Sequence, residues 1–135
     1  MEWDILVDEA IEARKKAYIP YSNFAVGAAL LTKNGRIHRG CNVENSAYSP
    51  TNCAERTAIF KAISEGDKDF VAIAIIGGFE GDTDYCFPCG VCRQVLIEFC
   101  DPDKFLVIVA RNNCDYKIYK LGELLPHGFS PQNLK

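Results

Sequence analysis

Apolar residues near the start of the chain recur at helical spacing. Trp3, Leu6, Val7, Ala10 and Ile11 alternate with Asp4, Asp8, Glu9 and Glu12, which predicts an amphipathic helix ending before Pro20. From Phe24 to Thr32 the run F-A-V-G-A-A-L-L-T is apolar almost throughout and predicts a buried strand. Asn34-Gly35 is a two-residue hairpin signal, and Arg36 to Cys41 is the expected returning strand.

A loop with Asn42, Asn45, Ser46, Ser49 and Pro50 follows. Thr51 or Asn52 can cap a helix over residues 53–65 that stops at Gly66. Val71 to Ile76 is continuously apolar, as expected of a central strand covered on both faces. A further helix is predicted from Pro88-Cys89 to a stop before Pro102, with Val95, Leu96 and Phe99 as its apolar stripe. Phe105 to Ala110 is another apolar strand, and Tyr116 to Tyr119 a shorter one. The order α-β-β-α-β-α-β-β predicts an α/β fold, a three-layer α/β/α sandwich around a mixed β-sheet. No repeat, low-complexity segment or linker interrupts it, so residues 1–135 read as a single domain.

Apolar residues at 48% and charged residues at 24% are ordinary globular proportions. The net charge of −3 and the lack of a long Lys/Arg run argue against a nucleic-acid or anionic-membrane partner, but not against a single nucleoside. The start, Met1-Glu2-Trp3-Asp4, is acidic and unlike a signal peptide. No apolar run approaches the roughly 20 residues that cross a bilayer. The expectation is a soluble, cytoplasmic protein.

Seven cysteines stand at 41, 53, 86, 89, 92, 100 and 114. An odd count without a secretion signal argues against a disulfide framework, and clustered thiols then hold metal or do chemistry. Cys41, Cys100 and Cys114 stand apart and are expected to be packing residues. His38 and His127 are expected at the surface.

Two clusters remain, Cys53-Ala54-Glu55 and Pro88-Cys89-Gly90-Val91-Cys92, each at a predicted helix start. Helix N-termini carry partial positive charge, which favours the thiolates that metals need. Cys89 and Cys92, three apart, share a helix face and can converge on one ion. Cys53 and Glu55, two apart, serve one site only if it lies off the helix end, where first-turn side chains lean back. Three thiolates leave one position of a tetrahedral zinc open to water, the mark of a catalytic site. A nearby carboxylate that does not ligate can shuttle protons.

With these residues in view, the chain closely resembles the cytidine deaminase family, in its small, homotetrameric, zinc-dependent form. The likeness runs nearly end to end: Tyr18-Ile19-Pro20-Tyr21-Ser22, Val26-Gly27-Ala28-Ala29-Leu30, Gly40-Cys41-Asn42-Val43-Glu44-Asn45, Cys53-Ala54-Glu55-Arg56-Thr57-Ala58, Pro88-Cys89-Gly90-Val91-Cys92-Arg93-Gln94 and Glu123-Leu124-Leu125-Pro126. The resemblance implies that Cys53, Cys89 and Cys92 bind one zinc and that Glu55 is the general acid/base. It implies that Asn42 and Glu44 hydrogen-bond the sugar, that Phe24 packs on the base, and that backbone near Ala54 meets the pyrimidine edge. It further implies a homotetramer in which Phe129, following Gly128, covers the base in a neighbouring subunit's site. The expected reaction is hydrolysis of cytidine or 2′-deoxycytidine to the uridine and ammonia, in pyrimidine salvage. Three thiolates on Zn²⁺ leave a net −1, so Arg56, beside Glu55, is expected to donate to a thiolate and withdraw charge, with Arg93, beside Cys92, as a second such donor.

The likeness breaks at one place. Many members carry a small Ser before Pro-Cys, where this chain has Phe87 preceded by an extra thiol, Cys86. Cys86-x-x-Cys89 is therefore a rival ligand register. Three other functions compete: deamination of an aminoacyl-nucleoside antibiotic, nucleic-acid editing, and a zinc-stabilised interaction module. Editing enzymes carry His as first ligand and a basic surface, against Cys53 and the charge of −3. An interaction module needs a closed fourth ligand and leaves Glu55 without a task.

Overall fold

The structure, a computed structural model, describes residues 3–135, so Met1 and Glu2 of the acidic N-terminal stretch lie outside it. In chain order it comprises α1 (Asp4–Arg14), β1 (Ala25–Thr32), β2 (Ile37–Cys41), α2 (Ala54–Ser64), β3 (Phe70–Phe79), β4 (Asp82–Asp84), α3 (Gly90–Phe99), β5 (Leu106–Asn112), β6 (Asp115–Lys120), α4 (Leu121–Leu124) and a 3₁₀ turn, Pro131–Leu134. The strands run in the order β2-β1-β3-β5-β6, with β4 added to β3. The β3–β5 pair is parallel and the others antiparallel, which makes the sheet mixed.

Alternation within the apolar strands decides what each face holds. Ala72, Ala74 and Ile76 of β3 turn to one side and pack with Leu6, Val7 and Ala10 of α1. Ile73 and Ile75 turn to the other and meet Ala58, Ile59 and Ala62 of α2 and Leu96 of α3. Both faces are covered, so the run is apolar without a polar side, and the fold is the expected α/β/α sandwich.

The α2 helix comes very close to the sheet. A Cβ on Gly40 of β2 would stand 2.4 Å from the Ala54 carbonyl oxygen and 2.5 Å from the Ala58 nitrogen. A residue without a side chain at 40 is therefore what lets the first turn of α2 lie against β2. At the other end of the same helix, His38 of β2 is only 4% exposed, and its Nε2 lies 2.7 Å from Asp67 Oδ2. The expectation of a surface histidine is corrected here. His38 faces inward on the alternating strand, and the carboxylates of Asp67 and, at 3.6 Å, Glu65 make that burial tolerable.

Other differences are local. Cys53, not Thr51 or Asn52, is the N-cap of α2, because Asn52 is paired with Val43 through hydrogen bonds of 3.0 and 2.9 Å. Arg36 belongs to the β1–β2 turn, where its N–H donates to Thr32 Oγ1 at 2.9 Å. Cys100 is buried and Cys41 half-buried, but Cys114 is exposed in the β5–β6 turn, contrary to a packing role. The short polar β4, α4 and the 3₁₀ turn had no hydrophobic period to announce them. No helix among the described residues is long and apolar enough to cross a membrane.

Candidate metal centre and active site

The N-termini of α2 and α3 meet. Cys53 is the N-cap of α2 and Cys89 the N-cap of α3, with Cys92 in the first turn of α3. Cap residues take extended backbone angles, which turns both side chains off the helix ends toward a shared point. Cys53 Sγ lies 3.7 Å from Cys89 Sγ, and Cys89 Sγ 3.5 Å from Cys92 Sγ. All three sulfurs lie within 4.8 Å of one another, and they form the single such cluster of metal-binding side chains among the described residues.

This donor set fits zinc. Thiolates bound tetrahedrally at ~2.3 Å stand about 3.8 Å apart, close to the spacing seen here. The charges point the same way. Hydrogen bonding from Cys92, with help from Arg56, pulls the Cys53 thiol down from near 9 to about 5. The Cys92 thiol is driven up in return, by its hydrogen bond to Cys53, by burial and by the charges of Glu55 and Cys53. Three sulfurs this close cannot all shed their protons unless a cation joins them. The Cys92 N–H donates to Cys89 Sγ at 3.4 Å, and an Arg56 guanidinium nitrogen lies 3.2 Å from Cys53 Sγ.

Glu55, two residues into α2 from the cap, is 4% exposed. Burial first, then the charge of Cys53, raises its carboxyl to about 7. It shares a pocket of about 140 Å³ with Cys53, Cys89, Val26, Asn42, Ala54, Cys86 and Phe87. A wider recess of about 310 Å³, formed by Tyr21, Ser22, Glu44, Tyr48 and Thr51, adjoins it, since Thr51 lines both.

The side-chain amide of Asn42 bridges two points of β1's approach. Its Oδ1 accepts from Val26 N at 2.9 Å and its Nδ2 donates to Phe24 O at 2.8 Å. Glu44 Oε1 accepts from the N–H groups of Tyr21 and Ser22 at 3.0 and 3.1 Å, and Oε2 from the Ser22 hydroxyl. The Ser22 hydroxyl, and then those N–H groups, hold the Glu44 carboxyl below its ordinary range. Ser22 and the paired rings of Tyr21 and Tyr48, 6.0 Å apart, carried no role in the reading of the sequence. Tyr48 takes φ 64, a loop geometry no hydrophobic pattern announces.

Two expected site residues lie off the pocket. Phe24, just before β1, is half-buried, its ring edge-on to Phe79 at 5.2 Å, and it packs against the same core cluster as Val26. Phe129 lines neither recess of its own chain, and the residue is 58% exposed. Arg93 is corrected. Its guanidinium donates to the carbonyls of Pro88 at 2.7 Å and Leu124 at 2.9 Å, and not to a sulfur. One step along α3 from Cys92 rotates the side chain by about 100°, away from the metal side and onto the α3–α4 junction.

The chain is similar to known deaminases. A cytidine deaminase from Sporosarcina psychrophila is 48% identical over 134 residues, 99% of this chain and 96% of its own. Another from Halalkalibacterium halodurans is 47% identical, over 99% of this chain and 98% of its own. The crystal structure of cytidine deaminase from Burkholderia pseudomallei superposes with a TM-score of 0.85 at 46% identity, covering 96% of this chain and all of that one. Residues 1–109 match the cytidine and deoxycytidylate deaminase zinc-binding region. With its three sulfurs and buried glutamate set at two helix ends, the chain belongs to that zinc-dependent deaminase family.

Proposed function

We propose that the protein hydrolyses cytidine and 2′-deoxycytidine to uridine and 2′-deoxyuridine with release of ammonia, as a single-domain cytoplasmic enzyme of pyrimidine salvage. The observation that carries this reading is the meeting of a three-thiol cluster and the buried Glu55 carboxyl in one small pocket. Zinc held by Cys53, Cys89 and Cys92 would supply the Lewis acidity that activates water at neutral pH.

Glu55 does the proton work. A carboxyl that titrates near 7 can both take and give a proton at working pH. It takes one from the attacking water and places it on N3 of the base. After attack at C4 it takes the remaining proton from the new C4 hydroxyl and hands it to the amine, which leaves as ammonia as the C4 carbonyl forms. Arg56, through its contact with Cys53, offsets part of the thiolate charge.

The sugar is assigned to the junction of the two recesses, where Asn42 lines the smaller and Glu44 the wider. Asn42 spends one N–H and one lone pair on backbone and keeps one of each, and Glu44 is ionised and oriented, so both can meet a ribose hydroxyl. The backbone at Ala54 faces the pyrimidine, and Phe24, just before β1, packs at its edge. Phe129 completes the pocket of a neighbouring subunit in a homotetramer, which accords with its exposed ring and its absence from its own pocket.

Ammonia release from cytidine, deoxycytidine, adenosine and guanosine, beside metal analysis of the same sample, is the test. The expected result is turnover of the two cytosine nucleosides alone, with one zinc per chain. Zinc-loaded protein that leaves cytidine intact would end the proposal.

A further inference from the structure

The C-terminal tail is held at more points than its exposure accounts for. Gly128 passes so close to α3 and the α4 end that a Cβ there would stand 2.7 Å from Ile97 and 2.8 Å from Leu125. Beyond Phe129, Ser130 caps the 3₁₀ turn. Its N–H donates to Asn133 Oδ1 at 2.9 Å, and its Oγ accepts from Gln132 N at 3.3 Å. Between these anchors the Phe129 carbonyl accepts a 2.8 Å hydrogen bond from Nε2 of Gln94 on α3. Ordering a backbone costs conformational entropy that burial of the side chain ordinarily offsets. Here the backbone is fastened on three sides while the ring remains in solvent, an arrangement suited to a contact made outside the chain.

Gln94 and Ile97 are three residues apart, so they lie on one face of α3 and together form the bed on which the tail rests. The same helix carries Cys89 and Cys92 at its start. The tail is thereby referenced to the metal-bearing helix.

We infer that Gln94 is a positioning residue for substrate binding, its side-chain amide holding the Phe129 carbonyl so that the ring is presented to the neighbouring subunit's nucleoside pocket. This rests on the role of Phe129 proposed above. Gln94 itself is exposed, so its replacement leaves the core intact.

Steady-state kinetics on cytidine with Gln94→Ala, Phe129→Ala and the double variant test the inference. Gln94→Ala should raise KM about 3- to 10-fold, the range one hydrogen bond commands, with kcat nearly unchanged. Gln94→Glu, equal in length but lacking the donor, should behave alike, and Gln94→Lys, which restores a donor, should recover part of the loss. In the Phe129→Ala background, Gln94→Ala should add nothing further. A raised KM in Phe129→Ala beside an unaffected Gln94→Ala, or rises that multiply in the double variant, would overturn the Gln94 role and leave that of Phe129 standing. An unaffected KM in Phe129→Ala would remove the reading beneath it, and the Gln94 role with it.

Discussion

Arg56 reaches back one helical turn to place a guanidinium nitrogen 3.2 Å from the Cys53 sulfur. A fixed cation thus sits on one of three thiolates whose summed charge exceeds that of a divalent ion. Removing it leaves the metal centre more negative and a weaker acid. Arg56→Gln is expected to keep zinc and to lose about 10- to 100-fold in kcat, the usual cost of losing a partner to a metal ligand. Metal analysis and turnover on one preparation check it, and wild-type kinetics would return Arg56 to a purely structural role.

Glu55 lines the pocket without belonging to the sulfur cluster. Glu55→Gln should retain one zinc per chain and lose at least about 10²–10⁴-fold in turnover, the general acid–base contribution. Loss of zinc along with activity would identify Glu55 as a ligand.

The two cysteine registers separate in the same way. Cys86 packs against the backbone of β3, where a Cβ on Gly77 would stand 3.0 Å from its sulfur, and it lies outside the three-sulfur cluster. Cys86→Ser is therefore expected to hold zinc and substantial activity. Cys89→Ser or Cys92→Ser should lose both, and thermal stability with them. A metal-free Cys86→Ser protein would overturn the ligand set.

Thiol labelling distinguishes the cysteines left over. Burial pushes the Cys100 thiol up to about 12, so at pH 8 only about one molecule in 10⁴ carries the reactive thiolate, and that fraction grows tenfold per pH unit. Cys114 is exposed in its turn. Iodoacetamide on the zinc-loaded protein at pH 8 should therefore mark Cys114 quickly and Cys100 only after denaturation. Rapid labelling of Cys100 in the folded protein would contradict its burial.

Long apolar runs made the central fold legible. Val71 to Ile76 announced β3 because both faces are covered, and the helix starts predicted near residues 53 and 88 put the two cysteine clusters where thiolates are favoured. Features that depend on pairing across the fold were not visible. Asp82–Asp84 forms β4 only because the end of β3, beyond its pairing with β5, offers it hydrogen-bond partners, and no residue in it is apolar. His38 reads as a surface residue until Asp67, brought round by the end of α2, gives it a reason to be buried. Arg93 stands beside Cys92 in sequence, and only the turn of α3 reveals that adjacency in the chain is divergence in space. The double duty of Glu44, ordering the Tyr21-Ser22 turn while facing the recess, likewise needs three dimensions.

Cys53 and Cys89 stand 36 positions apart, and α2, β3 and β4 all lie between them. An ion bound to both clasps two distant segments of the folded chain, and unfolding has to give up its binding free energy. Unlike a disulfide, this clasp opens to a chelator and survives a reducing milieu. The supply of zinc therefore governs how much of the protein persists as well as how fast it turns over.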